Sequence, residues 1–208
     1  DNLKSGTPYI KHLGKDMMQS LADLDICDVT TDFSRLKEAD AMLLCVPTPL
    51  NQYREPDMSY VISTTKTVAH HLREGQLVIL ESTTYPGTTE EVIIPLLEKY
   101  SGLIAGKDFY VAYSPEREDP GNPNFNTANI PKVVGGHGDD AFKLAQALYD
   151  TAIVQTVPVS DTKTAEAVKI TENVFRSVNI ALVNELKVVY AKMGIDVHEV
   201  LDAADTKP

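Results

Sequence analysis

Three short apolar runs, each followed by a segment unsuited to continue a strand, constrain this chain more than any other feature. Ala41-Met42-Leu43-Leu44-Cys45-Val46 reads as a strand buried on both faces. It stops at Pro47-Thr48-Pro49, whose prolines lack the N–H that a ladder needs. Leu77-Val78-Ile79-Leu80 is a second such strand, followed by Glu81-Ser82-Thr83-Thr84-Tyr85-Pro86-Gly87-Thr88, and Phe109 to Tyr113 is a third, ending at Ser114-Pro115-Glu116. Helical spacing fills the intervals. Asp57 to Arg73 carries the stripe Val61, Ile62, Thr65, Val68, Ala69 and Leu72 and is stopped by Gly75, and Thr88 to Tyr100 ends before Gly102. Leu24 to Thr30 is predicted as an earlier strand and Ser34 to Ala39 as a helical turn. Downstream come a strand at Lys132 to Gly135, a helix at Asp139 to Tyr149 and a last strand at Ile153 to Val157. Arg117 to Pro131, with three Pro and four Asn, reads as a long loop. Strands alternating with helices imply an α/β fold: a parallel, doubly wound sheet with flanking helices.

At Ser160-Asp161 the pattern changes. Either residue can cap a helix running from Thr162 to Met193, which Gly194 stops. Val168, Phe175, Leu182 and Val189 recur every seven residues, with Val178 and Leu186 between them. A helix of roughly thirty residues is about 45 Å long, longer than a sheet is deep, so it is expected to join two domains or two subunits. The chain is therefore expected to divide into residues 1–160, an α/β domain, and 161–208, a helical region for linkage or dimerisation, in which Asp196 to Ala204 begins another short helix.

Composition narrows the function classes. The 208 residues are 43% hydrophobic and 24% charged, the balance of a folded globular chain. A net charge of −11 speaks against a nucleic-acid or anionic-membrane surface, either of which needs a basic field. No apolar run approaches the roughly 18 residues of a membrane span. Cys27 and Cys45 cannot frame a disulfide scaffold and read as reduced interior thiols. The five histidines lack metal-ligand spacing, His70 and His71 being adjacent and so aimed to different sides of a helix. The expectation is a soluble, cytoplasmic protein without a metal.

Ligands of open α/β sheets bind at the carboxyl ends of the strands. Here those ends are Val46-Pro47-Thr48-Pro49, Glu81-Ser82-Thr83-Thr84 and Ser114-Pro115-Glu116, whose hydroxyls and carboxylate would converge on one crevice. Each has a plain structural reading as well. Thr48 can close a proline turn, Ser82 and Thr83 can cap the helix near Thr88, and Glu116 can be a surface carboxylate; three at one edge favour a site. On the long helix Lys169 and Asn173 stand four apart and share a face, with Arg176 one turn on. An ammonium and an amide so placed can meet an anionic or hydroxylated group; the bland alternative is a solvated face with Glu166 or Glu172 pairing Lys169.

These pieces, in this order, resemble the nucleotide-sugar 6-dehydrogenases, the UDP-glucose/UDP-N-acetylhexosamine dehydrogenase family. The resemblance rests on Cys45-Val46-Pro47-Thr48-Pro49, on Glu81 to Thr88, on Ser114-Pro115-Glu116-Arg117-Glu118-Asp119-Pro120-Gly121-Asn122, and on Lys169 and Asn173 continuing to Asn184-Glu185-Leu186. The forms at Thr83 to Thr88 and Pro115 to Asn122 look most like the UDP-N-acetylglucosamine branch. The resemblance implies an incomplete Rossmann-like sheet followed by a central helix, and a homodimer through residues 162–193. It also implies NAD-dependent oxidation of a UDP-sugar C6 alcohol to the uronic acid by two hydride transfers. In that family a cysteine thiolate captures the intermediate aldehyde. Carried over, Val46, Pro47, Thr48, Pro49, Ser82 and Thr83 bind NAD. Thr83 also positions a catalytic water, Glu116 serves acid–base steps, Lys169 stabilises the developing oxyanion and Asn173 orients the sugar. Glu116, Arg117, Glu118, Asp119, Lys169 and Asn173 touch the substrate.

Two departures stand out. The UDP-glucose branch has a second glutamate four residues after the first; here that position is Pro120, and the role is left open between Asp119 and Glu118. The interval from Thr83 to Pro86 is also one residue longer. The family's Gly-rich turn and ribose-binding acid are expected before Asp1, and its nucleophilic cysteine after Pro208, so the chain reads as an internal fragment, inactive alone. Rival readings are a non-catalytic Rossmann-like binding or dimerisation module, or another hydroxyl dehydrogenase that joins such a sheet to a long helix.

Overall fold

The computed structural model describes residues 5, 15–24, 26–117 and 129–207. A helix α1 (Lys15–Ala22) and a 3-10 turn (Phe33–Glu38) precede a five-stranded sheet, β1 (Ala41–Leu44), β2 (Leu77–Leu80), β3 (Tyr110–Tyr113), β4 (Lys132–Gly136) and β5 (Thr156–Pro158), whose spatial order follows the sequence. Three helices lie between the strands: α2 (Ser59–Ala69), α3 (Ile94–Ser101, led by a π-helical turn at Thr89–Ile93) and α4 (Asp139–Tyr149). Helix α5 (Thr162–Lys192) and α6 (Val197–Ala204) complete the chain.

The α/β expectation holds, with one antiparallel step. β1, β2 and β3 pair in parallel, as do β4 and β5, but β3 and β4 run antiparallel. A parallel return needs a crossover of a dozen or more residues, usually helical; the proline-rich stretch between β3 and β4 has no helical pattern, so the chain comes back the other way. The predicted strand at Leu24 to Thr30 does not form among its described residues. Ile26 is 93% exposed, and no described strand lies beside that segment to complete a ladder.

Helix punctuation largely follows the sequence. Asp57 accepts a hydrogen bond from the Ser59 amide (2.9 Å) at the start of α2, and Gly102 ends α3 with φ of +77°, whereas α2 stops at Ala69, capped by His70, before the expected stop at Gly75. The core sits under α4: Leu77, Ile79, Ala112 and Val134 from the sheet pack with Ala145 and Tyr149. β2 is buried on both faces. β1 is not, contrary to its apolar run: Met42 and Leu44 are buried, whereas Leu43 is 44% exposed on the face that α4 covers farther along the sheet.

The chain divides into two compact units, Asp1–Glu166 and Ala167–Pro208. In the second, α5 exposes Phe175, Val178, Leu182 and Val189, Gly194 takes φ of +72° past its end, and Asp196 caps α6 by accepting from His198 N (2.9 Å). Among the described residues no helix is long and apolar enough to cross a membrane.

Candidate active site

The carboxyl ends of β1, β2 and β3 are stitched into one rim. Ser82, buried just past β2, accepts from Val46 N (2.9 Å) and donates to Val46 O (2.7 Å), so its hydroxyl replaces a ladder step where the backbone has left β geometry. Thr48 donates to Thr83 O (2.8 Å) and ties the proline turn to the same strand end. On the other side Ser114 N donates to Leu80 O (3.1 Å) and Glu116 N to Glu81 O (3.4 Å). Val46, Pro47, Thr48, Pro49, Ser82, Thr83 and Glu116 therefore border a common edge. The plain readings fare poorly for the hydroxyls: that of Thr48 bonds across to Thr83 O, and neither Ser82 nor Thr83 caps the following helix.

That helix is capped from elsewhere. Glu166, fully buried in the first turns of α5, accepts from Gly87 N (2.6 Å), Thr89 N (2.9 Å) and Thr89 Oγ1 (2.7 Å). Burial pushes its carboxyl above the ordinary glutamate value of 4.5, while the Thr89 and Gly87 donors pull the other way. Gly87 has φ of +99°, which few residues other than glycine adopt. The side chain of Thr83 is half-buried and makes no hydrogen bond to a described residue, and the buried Thr84 hydroxyl likewise lacks a partner there. Of the two hydroxyls only that of Thr83 is accessible at the strand end, Thr84 being 2% exposed.

Sequence reasoning missed a buried polar cluster behind this rim. Glu81 Oε1 accepts from the Tyr149 hydroxyl (2.5 Å) and lies 3.1 Å from Lys132 Nζ, which stands 5.0 Å from the Tyr149 ring centroid. The thiol of Cys45 lies 3.8 Å from Glu81 Oε2. Cys45 and Cys27 are exposed rather than interior as the apolar runs suggested, yet partial burial of the Cys45 thiol, with the Glu81 carboxylate second, pushes it up to about 11. Tyr149 is pushed well above its usual value by the same two causes. The available signal was a charge abutting each apolar run: Glu81 directly after Leu80, and Lys132 heading Val133-Val134.

Arg117 donates to Pro131 O (2.7 Å) and closes the neck of the loop between β3 and β4. Glu118 and Asp119 lie outside the described residues. Lys169 and Asn173 belong to the second unit, on α5, where their four-residue spacing puts them on one helix face.

Comparison with known proteins gives two matches to the description UDP-glucose/GDP-mannose dehydrogenase family: its NAD binding domain over residues 1–153 and its central domain over residues 163–208. Protein CapL of Staphylococcus aureus is 42% identical over 181 residues, 86% of this chain and 43% of that protein. The UDP-N-acetyl-D-glucosamine 6-dehydrogenase of Pseudomonas aeruginosa is 40% identical over 179 residues, 86% of this chain and 42% of the relative. Among solved structures, a UDP-D-ManNAc dehydrogenase from Pyrococcus horikoshii superposes with a TM-score of 0.88 at 37% identity, over 100% of this chain and 49% of that one. The chain thus spans less than half the length of the relatives it matches.

The rim suits part of a dinucleotide. The half-buried Thr83 side chain, without a hydrogen bond among the described residues, sits at the carboxyl end of β2 beside the partly exposed Val46–Pro49 turn, the edge at which open α/β sheets bind ligands. The described residues contain no Gly-rich turn to receive a pyrophosphate.

Proposed function

Because the chain belongs to the UDP-glucose/GDP-mannose dehydrogenase family, we propose that it carries part of the active site of an NAD-dependent UDP-sugar 6-dehydrogenase. The overall reaction takes the C6 alcohol of UDP-N-acetylglucosamine to the uronic acid in two oxidations. The observation that carries this reading is the stitched rim: Ser82 and Thr48 fix the ends of β1 and β2, and the Glu116 amide is held on Glu81 O, so hydroxyls and a carboxylate meet at one sheet edge. The names of the Pseudomonas and Pyrococcus relatives support the substrate class.

When bound, NAD supplies the hydride acceptor. Val46, Pro47, Thr48 and Pro49 form its bed together with Ser82 and Thr83. The rigid stitches set this bed in place before binding, which spares ordering cost. The Thr83 hydroxyl, with no hydrogen-bond partner among the described residues, orients a water at the reacting carbon. Glu116 takes and returns the proton of the oxygen being oxidised, a task for a carboxylate within hydrogen-bond reach. Lys169 stabilises negative charge on that oxygen and Asn173 fixes the sugar, a fixed cation and amide being most effective away from water. Arg117, Glu118 and Asp119 contact the sugar nucleotide. The exposed stripe Phe175, Val178, Leu182 and Val189 on α5 supports a homodimer through residues 162–193.

Substituting Lys169→Ala in the complete polypeptide tests the assignment. The dehydrogenase reading expects kcat to fall by about 100-fold or more with NAD affinity little changed. Unaltered turnover would refute the role of Lys169, and a parent polypeptide that forms no NADH with any UDP-sugar would favour a binding module instead.

A further inference from the structure

Lys132, Glu81 and Tyr149 form a buried polar triangle that no step of the proposed reaction uses. The side chains of Lys132 and Glu81 are 9% and 13% exposed. Taking both charges out of water is costly, and a buried pair adds little net stability; what it does supply is geometry. The triangle joins four places in the fold: the end of β2 (Glu81), the exit of β3 (Pro115), the head of β4 (Lys132) and the last residue of α4 (Tyr149).

All its ties converge on one residue. Lys132 Nζ donates to the carbonyl of Pro115 (3.4 Å), the residue before Glu116. Arg117, the residue after, donates to the carbonyl of Pro131 (2.7 Å), the neighbour of Lys132. The amide of Glu116 itself donates to Glu81 O (3.4 Å), on the residue whose carboxylate grips Lys132. Glu116 is itself exposed and stands three residues past the end of β3.

We propose that Lys132 is a positioning residue: through Pro115 O and its pair with Glu81 it fixes the backbone of Glu116 at the sheet edge. This rests on Glu116 acting in the reaction. A shift of about an ångström in a reacting group costs on the order of 100-fold in rate, so a mobile Glu116 would forfeit much of its effect.

The test uses the complete polypeptide with NAD and whichever of UDP-N-acetylglucosamine, UDP-N-acetylmannosamine and UDP-glucose it oxidises fastest. Lys132→Met is expected to lower kcat by about 10- to 100-fold with KM for NAD within about twofold. Lys132→Arg, which keeps a cationic donor, is expected to recover most of that loss. In a Glu116→Gln background Lys132→Met should cost little more, because the two act through one group. Amide exchange at Ser114 to Arg117 should accelerate in Lys132→Met and not in Lys132→Arg. Should Lys132→Met fail to fold, Glu81→Gln/Lys132→Met, which removes both charges, carries the same expectations. Unchanged kcat and unchanged exchange in a folded variant would overturn the proposal, as would equal losses in both backgrounds. A Glu116→Gln variant with full activity, by contrast, refutes the role of Glu116 itself, whatever Lys132 does.

Discussion

Cys45 and Ser82 are neighbours across the β1–β2 rim, and their chemistry is set by what surrounds them. The Cys45 thiol belongs to an exposed residue, but its partly buried position and the Glu81 carboxylate push it up to about 11, which keeps it protonated and weakly nucleophilic at neutral pH. Iodoacetamide labelling of Cys45 is expected to be slow near neutrality and to rise toward about pH 11; rapid labelling at neutral pH would contradict its described environment. Ser82→Ala removes the acceptor of Val46 N–H and is expected to destabilise the fold by about 1–2 kcal/mol, read as a shift in the urea midpoint. The sequence pointed to Ser82, Thr83, Thr48 and Glu116 because hydroxyls and a carboxylate follow apolar runs. That Thr48 and Ser82 spend their hydroxyls on each other's strands was not legible, since it depends on cross-strand register. Tyr149 was read as the end of a helix, and only the packing of α4 brings it to Glu81.

Elements are joined at two places where a small change should be felt. Gly135 in β4 lies under the start of α5: a Cβ there would stand 2.2 Å from Asp161 O, a backbone atom that cannot yield. Gly135→Ala is expected to cost on the order of 3 kcal/mol or more, visible as a lowered thermal midpoint. Glu166 joins α5 to the turn after β2. Its folded-state carboxyl is raised above the ordinary value of 4.5, so the folded state holds the proton more tightly than the unfolded chain. The stability this contributes is full below that value and is lost as pH rises through the raised one. Glu166→Gln removes the titration, so the stability of the parent relative to the variant should fall with rising pH across this window; urea midpoints measured over it provide the check. Most element boundaries were readable from apolar period and glycine stops. The strand expected at Leu24 to Thr30 was misread because alternation describes a candidate, and a ladder needs a partner. The antiparallel β4 could have been inferred from the lack of a helical pattern between Ser114 and Pro131.

For the whole molecule, the family matches of residues 1–153 and 163–208 fit a sheet unit followed by a helical one. The apolar face of α5 predicts a dimer, so light scattering of the complete polypeptide should return twice the protomer mass, and Phe175→Asp should shift it to the monomer. What sequence could not convey at this scale is how one buried pair, Glu81 and Lys132, connects the carboxyl end of β2 to the head of β4. The central claim is that these strand ends serve a double oxidation of a UDP-sugar. Its most direct measurement is the NADH formed per UDP-N-acetylglucosamine consumed by the complete polypeptide. The account predicts two NADH and a uronic acid product; a single NADH with release of an aldehyde, or none at all with intact substrate, would contradict it.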